Sequence, residues 1–367
     1  MAYVLGAFLV SLVFTLLLVR YRRLHEDFTG DTDFEGVQKF HNRAVPRVGG
    51  IALVFAMLAP CAVAWFRDRE VLLPLLILIA CSMPVFLGGL AEDISKNIRA
   101  RDRLLLALIS GALAYFFLGA AITRLDIPGI DWLLGMGAVS FIVSIIAIAG
   151  AANAINIIDG YNGLAAVVSG MILAGLSYVS YYLGDRLLLV AAVGMLGAIG
   201  GFLIWNYPRG LIFLGDGGAY FIGFMIGTLS VLMLARHPEV SAWFPLLLCI
   251  YPVFETLFSI SRKKLLRGKS PGAPDGVHLH MLVYRRVVRW AAGPDEEMQV
   301  SQRNAMTSPY LWILSSLGTI PAVLFWQHAN ILMAFVVVFS ISYITLYRYL
   351  VLFRMPRWLV MQKKRRP

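Results

Sequence analysis

Charge is what this chain has least of. Among its 367 residues only 14% are Asp, Glu, Lys or Arg, while 59% are hydrophobic. The mean hydropathy is +0.75. That balance excludes a soluble globular domain and points to a polytopic membrane protein. Cysteine is scarce as well. Cys61, Cys81 and Cys249 each sit inside an apolar run, and the three have no metal-ligand spacing. An odd, scattered set excludes a disulfide framework and leaves them as small core residues. Basic residues are missing from Met1 to Val19, so this stretch reads as a retained first span rather than a cleavable signal. No internal repeat stands out. What is abundant is positive charge relative to negative, a net +11. In a membrane chain that excess sets orientation through the loops, and nucleic acid is not an expected partner.

About 20 apolar residues cross a ~30 Å hydrocarbon core as a helix. Such runs fall at roughly 2–19, 48–66, 71–90, 104–122, 132–150, 163–183, 187–205, 217–235, 243–260, 309–327 and 331–353. The expected fold is therefore an all-α integral membrane protein, a polytopic bundle of about 11 transmembrane helices. Residues 1–353 form one catalytic transmembrane domain, and 354–367 form a basic tail. Inner glycines and prolines (Pro84, Gly197, Gly200, Gly201, Pro252) suit close helix packing in lipid. Lys and Arg alternate between connections. Arg20, Arg22, Arg23, Lys39, Arg43 and Arg47 precede the second span. Lys96, Arg99, Arg101 and Arg103 follow the third, nine basic residues lie in 261–308, and the tail ends Lys363-Lys364-Arg365-Arg366. The other side has Arg67, Arg69, Arg124, Arg186 and Arg236 in short turns. The basic side is cytoplasmic by the positive-inside rule, which puts the N-terminus outside and the C-terminus in the cytoplasm.

Five polar clusters and one buried-span acid then fall on the basic side. Asn153, Asn156, Asp159, Gly160, Asn162 and Gly163 lie within eleven positions between two apolar runs. Amides donate and accept, a carboxylate accepts or binds a cation, and glycine lets the backbone approach a ligand. A cap and turn between spans is the plainer reading, but the density of amides favours a ligand cradle. Before the second span, His41, Arg43, Pro46, Arg47, Gly49 and Gly50 put cations ahead of paired glycines at a helix start, which suits a phosphate. A positive flank with a tight helix contact is the alternative. Glu92-Asp93 could bind a divalent cation or supply a base, or could be a solvated helix end. Gly215-Asp216-Gly217-Gly218 sets one acid among glycines at a helix start, either an N-cap or a site for a phosphate and its metal. Glu255 lies inside the ninth span, where an acid is functional by default and snorkelling is the alternative. His278 and His280, after the basic and Pro/Gly-rich 262–277 loop, could ligate a metal or hydrogen-bond a diphosphate. Tyr284 to Trp290 suits anionic lipid headgroups.

With these motifs the chain resembles the polyprenyl-phosphate N-acetylhexosamine-1-phosphate transferases (the WecA/MraY superfamily, in the glycosyltransferase 4 family). The resemblance runs over nearly the whole chain. Five motifs match in order: Pro46 with Gly49-Gly50, Glu92-Asp93, Asn153 through Gly163, Gly215-Asp216-x-Gly218, and His278-x-His280. The loop from Gly268 to His280 resembles the WecA branch. The chain departs from the family at Glu92, where Asp is usual, at Asn162, where an acid is common, at Ala219 for Ser, and at Met281 for a third His.

The resemblance implies transfer of N-acetylhexosamine-1-phosphate from a UDP-sugar to undecaprenyl or another polyprenyl phosphate, with UMP released. GlcNAc is the default sugar, with fucosamine- and quinovosamine-type donors open. It implies Mg²⁺ or Mn²⁺ held by Asp216 and Asp93, with Glu92, Asp93, Asp159, Asp216, His278 and His280 as the catalytic set. Arg43, Arg47, Asn153, Asn156, Asn162, Gly215 and Glu255 would bind substrates. The product would initiate a cell-envelope polysaccharide such as O-antigen, at the cytoplasmic face of a bacterial inner membrane. Membrane lipid is a further partner, and a homodimer is compatible with the sequence but not specified by it. Two rivals are a transporter or flippase and a catalytically weakened lipid-binding relative. Transport sites lie near the midplane, often in repeated halves, whereas these acids sit at helix ends on one face.

Overall fold

The structure is a computed structural model that describes residues 1–24, 30–31, 45–266, 276–288 and 300–352. His41, Arg43, the 267–275 part of the His loop, Arg289 and Trp290, and the 354–367 tail lie outside those residues. The helices are α1 (Ala2–Arg20), α2 (Gly49–Ala56), α3 (Leu58–Arg67), α4 (Arg69–Ser95), α5 (Ala100–Leu118), α6 (Ile130–Leu134), α7 (Gly137–Ile158) and α8 (Leu164–Leu183). They continue as α9 (Arg186–Asn206), α10 (Gly215–Arg236), α11 (Trp243–Leu248), α12 (Ile250–Ser261), α13 (Leu279–Val283), α14 (Val300–Leu324) and α15 (Ala329–Val351). Two-residue strands, Gly30–Asp31 and Val45–Pro46, pair antiparallel.

Among the described residues, 8 helical stretches are long and apolar enough to cross a membrane. They are α1, α2 with α3, α4, α7, α8, α9, α10 and α15. Helices also occupy the three other expected positions: α5, α11 with α12, and α14. Helix is the expected form here, because it satisfies every backbone polar group without water.

Several boundaries differ from expectation, among them the start of α14 at Val300 rather than 309, and three have a physical reason. The second span breaks between Ala56 and Leu58, and the ninth between Leu248 and Ile250. Pro60 and Pro252 cannot donate to the carbonyls four residues back, Ala56 and Leu248, and the helices end there. The fifth span runs on to Ile158 instead of stopping near Gly150. Asn153 and Asn156 are therefore on the last turns of α7, not in a connection. Ala152, Ala154, Ile155 and Ile158 around them are buried, so this stretch keeps an apolar packing face while its amides occupy other positions.

The bundle is built around α10, in which every residue from Gly217 to Leu234 is buried. Small residues let its neighbours close on it. A Cβ at Gly223 would stand 2.6 Å from Ala152 Cα, and one at Gly227 would stand 2.9 Å from Ala151 Cβ. This Gly-x-x-x-Gly seam seats α7 against α10 at backbone distance. A Cβ at Gly89 of α4 would lie 2.6 Å from Gly217 Cα, and one at Gly50 of α2 would strike Gly218 N. Three helices thus converge on α10, two of them on its first turn.

The far end of the bundle holds ordinary polar latches. Asp126 takes Ala242 N–H at 2.7 Å and Arg124 at 2.6 Å, and Asp185 caps α9 through Leu188 N–H at 3.0 Å.

Replacing Gly89 by Val should destabilise the protein by ~1–3 kcal/mol or prevent its recovery, because the new Cβ meets backbone that cannot move aside. Gly150, with nothing within 4 Å of its would-be Cβ, is the contrast. Gly150→Ala should raise stability by ~0.5–1 kcal/mol. Melting in detergent, read by intrinsic fluorescence, checks both; equal effects would refute the seam.

Candidate active site

The first turn of α10 gathers the polar motifs. Residues 45–50 run alongside 213–214: Phe213 N–H donates to Pro46 O at 2.8 Å, Gly49 N–H to Phe213 O at 3.0 Å and Gly50 N–H to Leu214 O at 2.9 Å. The paired glycines therefore make a tight helix contact, one of the two readings that their sequence allows. Gly215 has φ 76°, a conformation natural to glycine, and a Cβ there would lie 2.6 Å from Asp93 Oδ2. Its role is to let the chain turn into α10.

Asp93 is 1% exposed. Its Oδ1 accepts Asp216 N–H and its Oδ2 accepts Gly217 N–H, both at 2.9 Å. It is a carboxylate from another helix filling the N-cap role for α10, where leading amides otherwise lack partners. Both oxygens are engaged by backbone, so Asp93 sets the helix start rather than opening directly to a substrate. Glu92 points away. Its Oε2 accepts Ile98 N–H at 2.7 Å, closing the turn after α4.

Asp216 is the acid at the mouth of the site, 12% exposed. Arg47 Nη2 reaches its Oδ1 at 3.3 Å, and Arg103 Nη1 pairs with its Oδ2. Arg47 Nε also lies 3.7 Å from Asp93 Oδ1. Arg103 stacks over the Tyr220 ring at 5.9 Å, and Tyr220 OH donates to Asn153 Oδ1 at 3.5 Å. A continuous polar chain thus joins Asn153 on α7 to Asp216 on α10. Arg103 and Tyr220 do not stand out in the sequence. Arg103 is one of several cations in its connection, and a Tyr on an apolar helix carries no signal of its own.

Asp159 follows the last residue of α7 and is partly buried. Burial pushes its carboxyl up to about 7, against the pull of the Arg47 charge. Asp159 and Glu92 are both within electrostatic reach of Asp93. Asn156 is likewise partly buried, one turn before Asp159. Next to Asp159, Gly160 faces His280: a Cβ there would be 3.2 Å from His280 Nε2. His280 is 1% exposed and stacks on His278 at 5.3 Å, with rings 8° apart.

Two expected substrate-binding residues have other work. Asn162 is 4% exposed. Its Nδ2 donates to Pro208 O at 3.2 Å, its N–H to Asn304 Oδ1 at 2.8 Å, and its carbonyl accepts Ser308 Oγ at 2.6 Å. Its side chain packs beneath Gly210, turned into the bundle rather than towards a ligand. Glu255 is wholly buried. Its Oε1 meets His278 Nδ1 at 2.8 Å and accepts Leu279 N–H at 3.2 Å, and its Oε2 accepts Tyr343 OH at 2.7 Å. It orients His278, because an imidazole held at Nδ1 presents Nε2 outward.

The donor set suits a hard cation. Asp216 already draws two guanidinium groups, and Asp159 is a partly buried acid whose ionisation a nearby cation would favour. Oxygen donors of this kind fit Mg²⁺. Among the described residues, no group of three or more His, Cys, Asp or Glu side chains is arranged to hold a metal. Mg²⁺ sites commonly draw only one or two carboxylates from a protein.

A raised carboxyl pKa has a definite sign. The folded protein holds a proton on Asp159 between its ordinary value of 3.8 and about 7, so this group's contribution to stability is lost as pH rises through that window. Ligand-free protein should melt progressively lower from pH 4 to 7, and Asp159→Asn should flatten that slope. An unchanged slope in the variant would refute the assignment.

Comparison with known proteins matches this part of the chain. Residues 75–234, from within α4 nearly to the end of α10, match the family model for glycosyl transferase family 4. A Bacillus subtilis (strain 168) protein named probable undecaprenyl-phosphate N-acetylglucosaminyl 1-phosphate transferase is 28% identical over 275 residues, 75% of each chain. A Thermotoga maritima protein named undecaprenyl-phosphate alpha-N-acetylglucosaminyl 1-phosphate transferase is 29% identical over 254 residues, 69% of this chain and 72% of its own. A Streptococcus pneumoniae phospho-N-acetylmuramoyl-pentapeptide-transferase is 28% identical over 284 residues, 74% of this chain and 84% of its own.

Proposed function

We propose that this chain, whose residues 75–234 match the family model for glycosyl transferase family 4, transfers N-acetylhexosamine-1-phosphate from a UDP-sugar to a polyprenyl phosphate. The observation that carries the reading is the meeting of Arg47, Arg103 and Asp216 beside the Asp159 turn and His280 at one end of a membrane bundle. The names of the relatives support a polyprenyl-phosphate acceptor and a phospho-sugar donor. UDP-GlcNAc is the donor we favour, in the manner of the two N-acetylglucosaminyl relatives, feeding an O-antigen or related envelope polysaccharide.

In the reaction an oxygen of the lipid phosphate bonds to the donor's β-phosphorus, and the bond from that phosphorus to the UMP oxygen breaks. Two anions must be brought together, so catalysis is mostly alignment and charge neutralisation. Arg47 and Arg103 would turn from Asp216 to the phosphates. Asp159, at the turn under His280, would orient the donor diphosphate. Asp93 would hold Asp216 at the right height through the α10 amides. His278 and His280 would contact phosphate or sugar. Mg²⁺, when bound at Asp216 with Asp93 behind it, would supply added charge neutralisation at the diphosphate.

We place the site on the cytoplasmic face, with eleven spans, the N-terminus outside and the C-terminus in the cytoplasm of a bacterial inner membrane. The support is the Lys and Arg asymmetry of the connections.

Purified protein given Mg²⁺, polyprenyl phosphate and a panel of UDP-N-acetylhexosamines should release UMP with one or more of them. Absence of release with every donor would overturn the proposal. Asp216→Asn should lower turnover by at least about 100-fold, since an amide cannot replace a charged group at the diphosphate. A single cysteine at Gly276, in a background without the native three, should react with an impermeant maleimide in inside-out vesicles only. Labelling of intact cells would reverse the topology.

A further inference from the structure

The turn after Asp159 is held in an unusual way. Asn162 and Gly163 present four backbone polar groups inside the bundle, and each has a side-chain partner from a distant helix. Asn162 N–H donates to Asn304 Oδ1 at 2.8 Å, and Asn162 O accepts Ser308 Oγ at 2.6 Å. Gly163 N–H donates to Asn206 Oδ1 at 2.7 Å, and Gly163 O accepts Trp312 Nε1 at 3.3 Å. Asn304, Ser308 and Trp312 are four residues apart, so they form one stripe along α14. The other side of α14 carries Ile313, Leu317, Ile320 and Leu324, exposed as a lipid-facing row.

A turn that needed only its hydrogen bonds satisfied would use local caps. This one has no side-chain cap on α8, and Gly163 enters that helix with φ 73°. Beyond the local bond from Leu164 N–H to Tyr161 O at 3.0 Å, its position is set by α14 and Asn206. Three residues earlier stands Asp159, and Gly160 packs on His280 between them. Moving Asn162 moves both.

We propose that Asn304, Ser308 and Trp312 are positioning residues for the transfer reaction, acting through the Asn162–Gly163 backbone to set Asp159 and Gly160 against His280. The inference rests on the transferase function proposed above. It reaches beyond residues 75–234, the part matched by the family model, and makes a lipid-facing helix part of the catalytic scaffold.

The test uses the full chain in lipid nanodiscs. Ser308→Ala and Trp312→Phe each remove one donor, and Asn304→Leu removes one acceptor. Each should lower kcat for UMP release by about 10- to 100-fold, the scale of small misplacements of reacting groups. KM for polyprenyl phosphate should stay unchanged. Hydrogen–deuterium exchange at residues 159–164 should rise in the same variants. Asn304→Asp keeps the acceptor and should restore both kcat and the exchange protection at 159–164. If Ser308→Ala fails to fold, Trp312→Phe carries the same test, since Phe keeps a ring beside Tyr207. Wild-type kcat in Trp312→Phe and Asn304→Leu, or unchanged exchange at 159–164, overturns the proposal. If wild-type protein releases no UMP from any donor, the functional reading falls instead, and the exchange measurement still decides whether the clamp exists.

Discussion

The Asp93 carboxylate seated on the first amides of α10 is the contact on which this architecture depends. A helix start buried in a membrane bundle leaves its leading N–H groups without water. Here a carboxylate from α4 takes two of them at 2.9 Å. The same carboxylate lies 3.7 Å from Arg47 Nε, so the helix start, the second span and the third span are tied at one point. The glycines at 50, 89, 215, 217 and 218 follow from that contact. Any Cβ at Gly215 would crowd the carboxylate itself, and Gly89 and Gly50 bring their helices to backbone distance around it.

The acids of the site consequently divide their roles by environment. Asp93 is committed to amides, and Glu92 to the turn at Ile98. Glu255 is committed to His278 and Tyr343. That leaves Asp216, balanced between two arginines, and Asp159, raised by burial, as the acids able to respond to a ligand. The pairing of Asp216 with Arg47 and Arg103 has a mechanistic consequence. On the proposed function, phosphates would compete with Asp216 for those guanidinium groups, and their binding would free a carboxylate beside them.

The helical bundle was legible in the sequence because lipid allows few alternatives. Apolar runs of span length became helices at each expected position, and the shifts in their ends trace to Pro60, Pro252 and the packing face between Asn153 and Ile158. The grouping of the polar motifs was legible too, since helices that reverse at each turn bring alternate connections to one end. What could not be read was the direction of each side chain. Asn162 looks like part of a ligand wall when its neighbours are amides and glycines, yet Gly210 and Asn304 draw it inward. Glu255 looks like a substrate contact until Tyr343, 88 positions away, is seen to share it. Arg103 is one cation among several in its connection, and only its pairing with Asp216 and its place over Tyr220 distinguish it.

These long-range partners also bear on how the departures from the family pattern are to be understood. An acid at position 162 would have to lie where Asn162 now donates to Pro208 O. A carboxylate cannot donate that bond, and its charge would be buried against a carbonyl. In this chain the amide is therefore the residue that the Pro208–Gly210 turn requires, and Asn162 says more about how α9 approaches α8 than about the donor sugar. Met281 is comparable. It is 3% exposed on α13, in a position where a third imidazole would need a partner of its own inside the core. Glu92 differs from both, because its longer arm reaches Ile98 N–H while Asp93 stays on the helix start. Of the four departures, those at Asn162 and Met281 are thus answered by buried surroundings and that at Glu92 by a surface turn, while Arg47, Arg103, Asp159, Asp216 and the two histidines stand together at the end of the bundle.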